Sequence, residues 1–96
     1  MSEAKGLVPG TKNEHSVMFY GLSTCVWCKR TRKFLEDQEI EFQYIYIDKL
    51  RGREREEAIE QVRNWNPSVS FPTVVIGDEQ SVIGYKPDKL KEALDL

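Results

Sequence analysis

The chain has 96 residues, 40% of them apolar and 31% charged, with a formal net charge of -2. A chain of this length forms one domain and buries roughly two-thirds of its extended surface, and the composition is that of a folded globular protein rather than a disordered one. The near-neutral charge argues against nucleic acid or an anionic membrane as partner, no apolar run reaches the ~20 residues of a spanning helix, and two cysteines cannot staple a small secreted scaffold, so chemistry is expected of them.

Residues 1–15, MSEAKGLVPGTKNEH, are polar, carry Gly6, Pro9 and Gly10, and show no hydrophobic period. They are expected to form a flexible arm ahead of a single domain over 16–96. No basic stretch followed by an apolar core opens the chain, so no secretory signal is expected. A cytoplasmic location follows as the expectation, where thiols are kept mostly reduced.

SVMFY, Ser16 to Tyr20, is short, apolar and bounded by Gly21, which suits a buried strand. From Thr24 the spacing turns helical, with Cys28, Thr31 and Leu35 on one face, Phe34 beside them, and Lys33 placed to pair with Asp37. EFQYIYID, Glu41 to Asp48, is aromatic and β-branched, a second strand. After Gly52 the apolar residues Ala58, Ile59, Val62 and Trp65 mark a second helix, closed by Pro67, with Trp65 serving its packing. PTVVIG, Pro72 to Gly77, and QSVIG make a hairpin across GDE. Pro87 suits the first position of a last helix, with Leu90, Ala93 and Leu94 as its buried stripe.

The predicted order is β-α-β-α-β-β-α. A βαβ unit implies a parallel pair with a right-handed crossover, and the hairpin adds an antiparallel strand. The expected fold is α/β, a four-stranded mixed sheet flanked by three helices, in a chain expected to be monomeric.

CVWC falls directly after the first strand, where the first helix begins. Spacing of three puts both sulfurs on one helix face, close enough for a small-ring disulfide. Free N–H groups and the partial positive charge at a helix start favour a thiolate there. Cys25, at the terminus, is expected to be exposed and to act as nucleophile; Cys28, on the apolar stripe, is expected to resolve the mixed disulfide. Lys29 and Arg30 sit where acidic residues would better complement the helix dipole. They read either as charges that hold Cys25 ionised and attract anionic partners, or as a solvated basic face. Arg32 and Lys33 are expected to be such a face, balanced by Glu36, Asp37 and the acidic second helix.

Other uses of the two thiols stand beside this one. They could be a buried structural pair, or half of a metal site. A structural zinc site takes four ligands, whereas the only histidine, His15, lies on the arm and reads as a surface residue. An iron–sulfur cluster or metal bridging two chains through Cys25 is the main alternative, and a noncatalytic interaction domain is another. No metal is expected within one chain.

CVWC after a strand, SFPT at Ser70 to Thr73, and IGYKPDKL at Ile83 to Leu90 together resemble the glutaredoxin family, of thioredoxin fold. The resemblance covers roughly Ser16 to the C-terminus. It implies a thiol–disulfide oxidoreductase that reduces disulfide-containing protein substrates through Cys25 and Cys28. It also implies a cis Phe71–Pro72 peptide beside the nucleophile, with the Phe71 backbone pairing to an extended substrate, and Pro72, Thr73, Gly84 and Asp88 at the substrate site. Asp88 matches the family's acidic residue for the glutamyl amine of glutathione. Two positions depart from the glutathione-using pattern, which has a lysine three residues before the nucleophile and a Gly-Gly pair. Here those positions hold Leu22, and Tyr85 after Gly84. GYKPDKL is closer to the redoxins that serve ribonucleotide reductase, which thioredoxin reductase typically recharges. Electrons are thus expected from a reductase or another low-molecular-weight thiol, with glutathione disfavoured as the dedicated donor. No cofactor is expected to be bound, since the dithiol itself carries the electrons. Trp27 is expected either to contact partner proteins or to cover the helix start, with Tyr20 and Tyr85 on the same rim.

Overall fold

The structure is a computed structural model and describes residues 4–96. In chain order it contains β1 (Lys5–Val8), β2 (Val17–Gly21), α1 (Val26–Asp37), β3 (Phe42–Tyr46), one 3-10 turn (Ile47–Lys49), α2 (Gly52–Trp65), β4 (Thr73–Ile76), β5 (Gln80–Ile83) and α3 (Pro87–Ala93). The sheet runs β1-β3-β2-β4-β5. β2 and β3 are parallel, and the other neighbours are antiparallel.

Period-two alternation sorts the side chains into two layers. Val17 and Phe19 of β2 and Val74 and Ile76 of β4 join Cys28, Leu35, Phe42, Leu90 and Leu94 in one core, under α1 and α3. Tyr20 and Val75 point the other way, against Ala58 and Val62 of α2. β4 is buried along its whole length because both layers cover it. Phe19 and Phe42 meet edge to face, with ring centroids 6.2 Å apart.

The sheet has five strands, not four. The extra one comes from the segment expected as a flexible arm, where Lys5–Val8 lies antiparallel to β3 with Lys5 opposite Ile45 and Val8 opposite Phe42. The Tyr46 amide donates to the Ala4 carbonyl (2.6 Å), and Lys5 reaches Glu54 of α2 (2.6 Å). Lys12 continues the attachment, donating to Glu39 O and accepting from Glu41 N, both at 2.9 Å. The physical reason is that an open strand edge offers unpaired backbone groups to any passing segment. β1 joins through those groups and leaves Leu7 exposed, so it needs no hydrophobic period. Gly6 lets it lie flat over Tyr44, whose hydroxyl would stand 2.9 Å from an added Cβ.

The second expected strand also ends early. After Tyr46 the chain turns through Ile47–Lys49, which delivers Asp48 to the loop ahead of α1. Among the described residues no helix is long and apolar enough to cross a membrane.

Deleting residues 1–8 should raise the hydrogen-exchange rate of the Tyr46 amide by about tenfold or more, because its acceptor is lost. Unchanged protection in the truncated chain would mean that β1 does not pair with β3 in solution.

Candidate dithiol active site

The loop Leu22–Cys25 joins the central strand β2 to α1. Gly21, the last residue of β2, passes so close to the core that an added Cβ would stand 2.9 Å from the Phe19 ring and 3.4 Å from Cys28 Cβ. Both backbone groups of Leu22 are used in the turn that follows. Its carbonyl accepts from the Cys25 amide (3.2 Å), and its amide donates to Cys28 Sγ (3.4 Å).

Cys25 is the N-cap of α1, and its sulfur takes the place of a capping oxygen. The Cys28 amide donates to Cys25 Sγ at 3.2 Å. No acidic residue occupies the first turn, so no carboxylate there competes with Cys25 Sγ for the free N–H groups. Cys25 is half-buried and Cys28 buried, 1% exposed, and both are free thiols. Burial pushes the Cys28 thiol up from the ordinary 9.0 to about 12, and its hydrogen bond with Cys25 adds to this, as do the charges of Cys25 and Asp48; the Leu22 amide opposes it. Cys28 is therefore a protonated thiol at neutral pH, one turn behind Cys25.

Two hydrogen-bonded supports hold this loop and its neighbour. Asp48 accepts from the Ser23 amide (2.9 Å) and from the Ser23 hydroxyl. Desolvation works against the Asp48 charge, but the two Ser23 bonds, with the Asp48 backbone amide and Lys49, together hold the carboxyl below its usual range. On the other side of the site, Asn66 is buried, 2% exposed. Its Nδ2 lies 3.0 Å from both Ser70 O and Ser70 Oγ and 3.1 Å from Thr73 Oγ1, while its Oδ1 accepts from the Ser68 amide (3.1 Å). This one amide shapes the loop that ends in the cis Phe71–Pro72 peptide.

The expected site residues divide into two groups. Trp27, Phe71, Pro72, Gly84 and Tyr85 line one open pocket of ≈ 220 Å³, and Cys25 and Phe71 pack against the same core. Gly84 adopts φ +84° and its amide donates to Pro72 O (2.8 Å). Trp27 is 54% exposed and stacks on Tyr85, with centroids 5.9 Å apart and ring planes 22° from parallel. Outside the pocket, Lys29 is exposed on α1 and Asp88 is exposed in the first turn of α3. Thr73 is also outside it. Its side chain is fully buried and its hydroxyl donates to Ser70 O (2.8 Å), which supports the loop.

Tyr20 is not on this rim. It is buried under α2, where its hydroxyl donates to Gln61 (3.2 Å), because β-strand alternation turns it away from Phe19. Arg32 pairs with Glu36 and Lys33 with Asp37, both at 3.2 Å. Arg32 is not wholly solvated, however. Its guanidinium lies 4.6 Å from the Tyr44 ring and donates to the Tyr46 hydroxyl (2.8 Å). His15 lies apart from the thiols, 3.2 Å from Asp95. Among the described residues no three His, Cys, Asp or Glu side chains gather where one ion could be held.

The sequence reading missed Ser23, Asp48 and Asn66. Asp48 stood at the end of an aromatic strand and Asn66 before a helix-breaking proline, positions that look like ordinary boundaries. An Asx residue next to Pro67 does signal a turn, but the partners of that turn lie up to seven residues on.

The glutaredoxin family model matches residues 17–81. The crystal structure of the glutaredoxin from Methanosarcina mazei Go1 superposes with a TM-score of 0.91 at 48% identity, over 98% of this chain and 90% of that one. The Methanosarcina acetivorans methanoredoxin gives 0.84 at 45% identity over 88% of each chain. The NrdH-redoxin of Escherichia coli, a glutaredoxin-like protein, gives 0.66 at 26% identity over 80% of this chain and 92% of that one.

Two outcomes test the site as built. Asn66→Ala removes the acceptor of the Ser68 amide and the amide that ties Ser70 to Thr73, so stability in urea should fall by about 1–3 kcal/mol; a loss well below that would mean water replaces the side chain. The second outcome concerns Cys28. Its folded-state value lies above that of an unfolded thiol, so its contribution is intact below about pH 9 and is lost as pH rises towards about 12. The reduced protein should therefore lose up to about 1.4 kcal/mol per pH unit more than Cys28→Ser over that window. Parallel losses in urea unfolding at about pH 8 and about pH 10.5 would contradict the assigned burial of the thiol.

Proposed function

The chain belongs to the glutaredoxin family, and from that premise we propose that it is a thiol–disulfide oxidoreductase that reduces protein disulfides through a Cys25/Cys28 dithiol cycle. The observation that carries the reading is the Cys28 amide aimed at Cys25 Sγ from one turn along α1, with Cys28 itself buried behind it.

The steps follow from that arrangement. The Cys25 thiolate attacks one sulfur of a substrate disulfide. The substrate S–S bond breaks, a mixed disulfide forms, and the first substrate thiolate leaves and takes a proton. With Cys25 now neutral, the hydrogen bond and the charge that helped to hold the Cys28 proton are both gone. Cys28 then loses its proton and attacks Cys25 Sγ. An intramolecular disulfide forms, the second substrate thiolate leaves, and two electrons have passed from the protein to its substrate.

The Phe71 backbone supports docking of an extended substrate. Neither its N–H nor its C=O makes a hydrogen bond among the described residues, which leaves both to pair with an added strand. A reductase, or a low-molecular-weight thiol other than glutathione, returns the electrons. Leu22 brings no charge for the glutathione carboxylate, and the Tyr85 ring rests on Trp27 over the pocket. Activity in a reducing compartment such as the cytoplasm is part of the same proposal.

Cys25→Ser should abolish turnover of a disulfide substrate, whereas Cys28→Ser should accumulate a mixed disulfide seen as a mass increase equal to one substrate thiol. An active Cys25 variant beside a dead Cys28 variant would reverse the roles. Oxidised protein should be reduced by a thioredoxin reductase faster than by glutathione; reduction by glutathione alone would overturn the reading of Leu22 and Tyr85.

A further inference from the structure

Four cations follow Cys28, at positions 29, 30, 32 and 33, and the structure separates them. Arg32 and Lys33 are each matched by a carboxylate one turn on. Among the described residues Lys29 and Arg30 have no carboxylate within ion-pair distance. Lys29 closes the first turn of α1 and Arg30 follows it, on a helix with no acidic residue in that turn to offset its dipole. The chain as a whole is slightly anionic, so this positive spot runs against the global sign.

The same place is unusually apolar for a surface. Val26 and Trp27, the two residues between the cysteines, are 59% and 54% exposed. The Arg30 guanidinium lies 5.1 Å from the Trp27 ring centroid, and Trp27 in turn stacks on Tyr85. The Lys86 stem runs along Gly84, its Cε 4.0 Å from where a Cβ would be. Asp88 is the carboxylate nearest to this rim in sequence, and no ion pair ties it to any of these cations among the described residues.

We propose that Lys29, Arg30 and the Trp27–Tyr85 stack form a docking surface for the disulfide segment of a partner protein in which carboxylates flank the reactive cysteine. This rests on the oxidoreductase reading above and names the substrate class for it. Charge complementarity supplies the sign of the partner: two unmatched cations beside Cys25 attract an anion and repel a cation, over the ~10 Å reach of charges at 0.1 M salt. The apolar stack and the unpaired Phe71 backbone supply the rest. They offer area and strand pairing that a small anion would leave unused, whereas an extended peptide would cover both.

The test uses three disulfide-linked peptides of equal length with Glu, Ala or Lys on either side of the cysteine, reduced by the full chain. We expect kcat/KM to favour the Glu peptide over the Lys peptide by roughly tenfold at low ionic strength, with the ratio shrinking towards one as salt rises. Arg30→Glu combined with Lys29→Glu should invert the order, Arg30→Lys should keep it, and Lys33→Glu, the same charge change further along α1, should also keep it. Because each ratio is taken within one variant, a loss of folding or thiol reactivity cancels. Equal rates for all three peptides with the unaltered chain would overturn the inference, as would an order that Lys33→Glu changes as much as the double variant does. If preference followed charge but a small anionic disulfide were reduced as well as the Glu peptide, the surface would be an anion site and not a peptide dock. If no disulfide were reduced at all, the oxidoreductase reading itself would fall, and this inference with it.

Discussion

The arrangement of the two thiols turns on one hydrogen bond, from the Cys28 amide to Cys25 Sγ at the start of α1. On the proposed reading, in which Cys25 reacts as the thiolate, a hydrogen bond to a charged acceptor contributes about 1.5–3 kcal/mol, against about 0.3–1 kcal/mol for the helix dipole acting on an exposed charge. Aiming the donor therefore matters more than the helix field behind it. That aim is set upstream. Gly21 lets β2 run up against Phe19 and Cys28, and Leu22 fastens the turn at both of its backbone groups. The chemistry at Cys25 is in this sense a property of the central strand and where it ends.

The two thiols differ because one helix turn spans a steep gradient of solvation. Cys25 belongs to the loop end of that turn and Cys28 to the core beneath, among Phe19, Leu35 and Val74. Burial, with the hydrogen bond and the charge of Cys25 added to it, pushes the Cys28 thiol up, so that in the proposed cycle its proton stays until Cys25 has reacted. Supports on two further elements then keep the surroundings in register. Asp48 reaches back from the end of β3 to Ser23, and Asn66 reaches forward from the end of α2 to Ser70 and Thr73. Asn66 is a buried amide with its partners supplied, and among the described residues no buried side-chain nitrogen or oxygen lacks one.

What could be read from the sequence was whatever has a short period. The short apolar run of Ser16 to Tyr20 ahead of Gly21, the stripe of Cys28, Thr31 and Leu35, and the three-residue cysteine spacing all follow local geometry, and these elements stand where the pattern puts them, within a residue or two. β1 escaped because an edge strand joins through backbone groups, which leave no mark on side-chain pattern. The end of β3 was misjudged because Asp48 answers to Ser23, 25 residues earlier, and not to its neighbours. Asn66 was passed over for the same reason, its meaning lying in a loop whose shape no period encodes. Tyr20 was assigned to the rim by its chemistry as an aromatic, when strand parity had already placed it under α2.

Gly84 and Tyr85 show why a family motif carries two kinds of information. At Gly84 the backbone sits at φ +84°, and its amide holds Pro72 O, while an added Cβ would meet nothing closer than Lys86 at 4.0 Å. What the position demands is a left-handed backbone, which a side chain resists even with room to spare. The fold requires that glycine, whatever is bound. The residue after it carries no such demand, since Tyr85 sits there without a positive φ and turns its ring onto Trp27. Of these adjacent residues, the first answers to a backbone conformation and the second to a side-chain contact, the Trp27–Tyr85 stack that lines the open pocket.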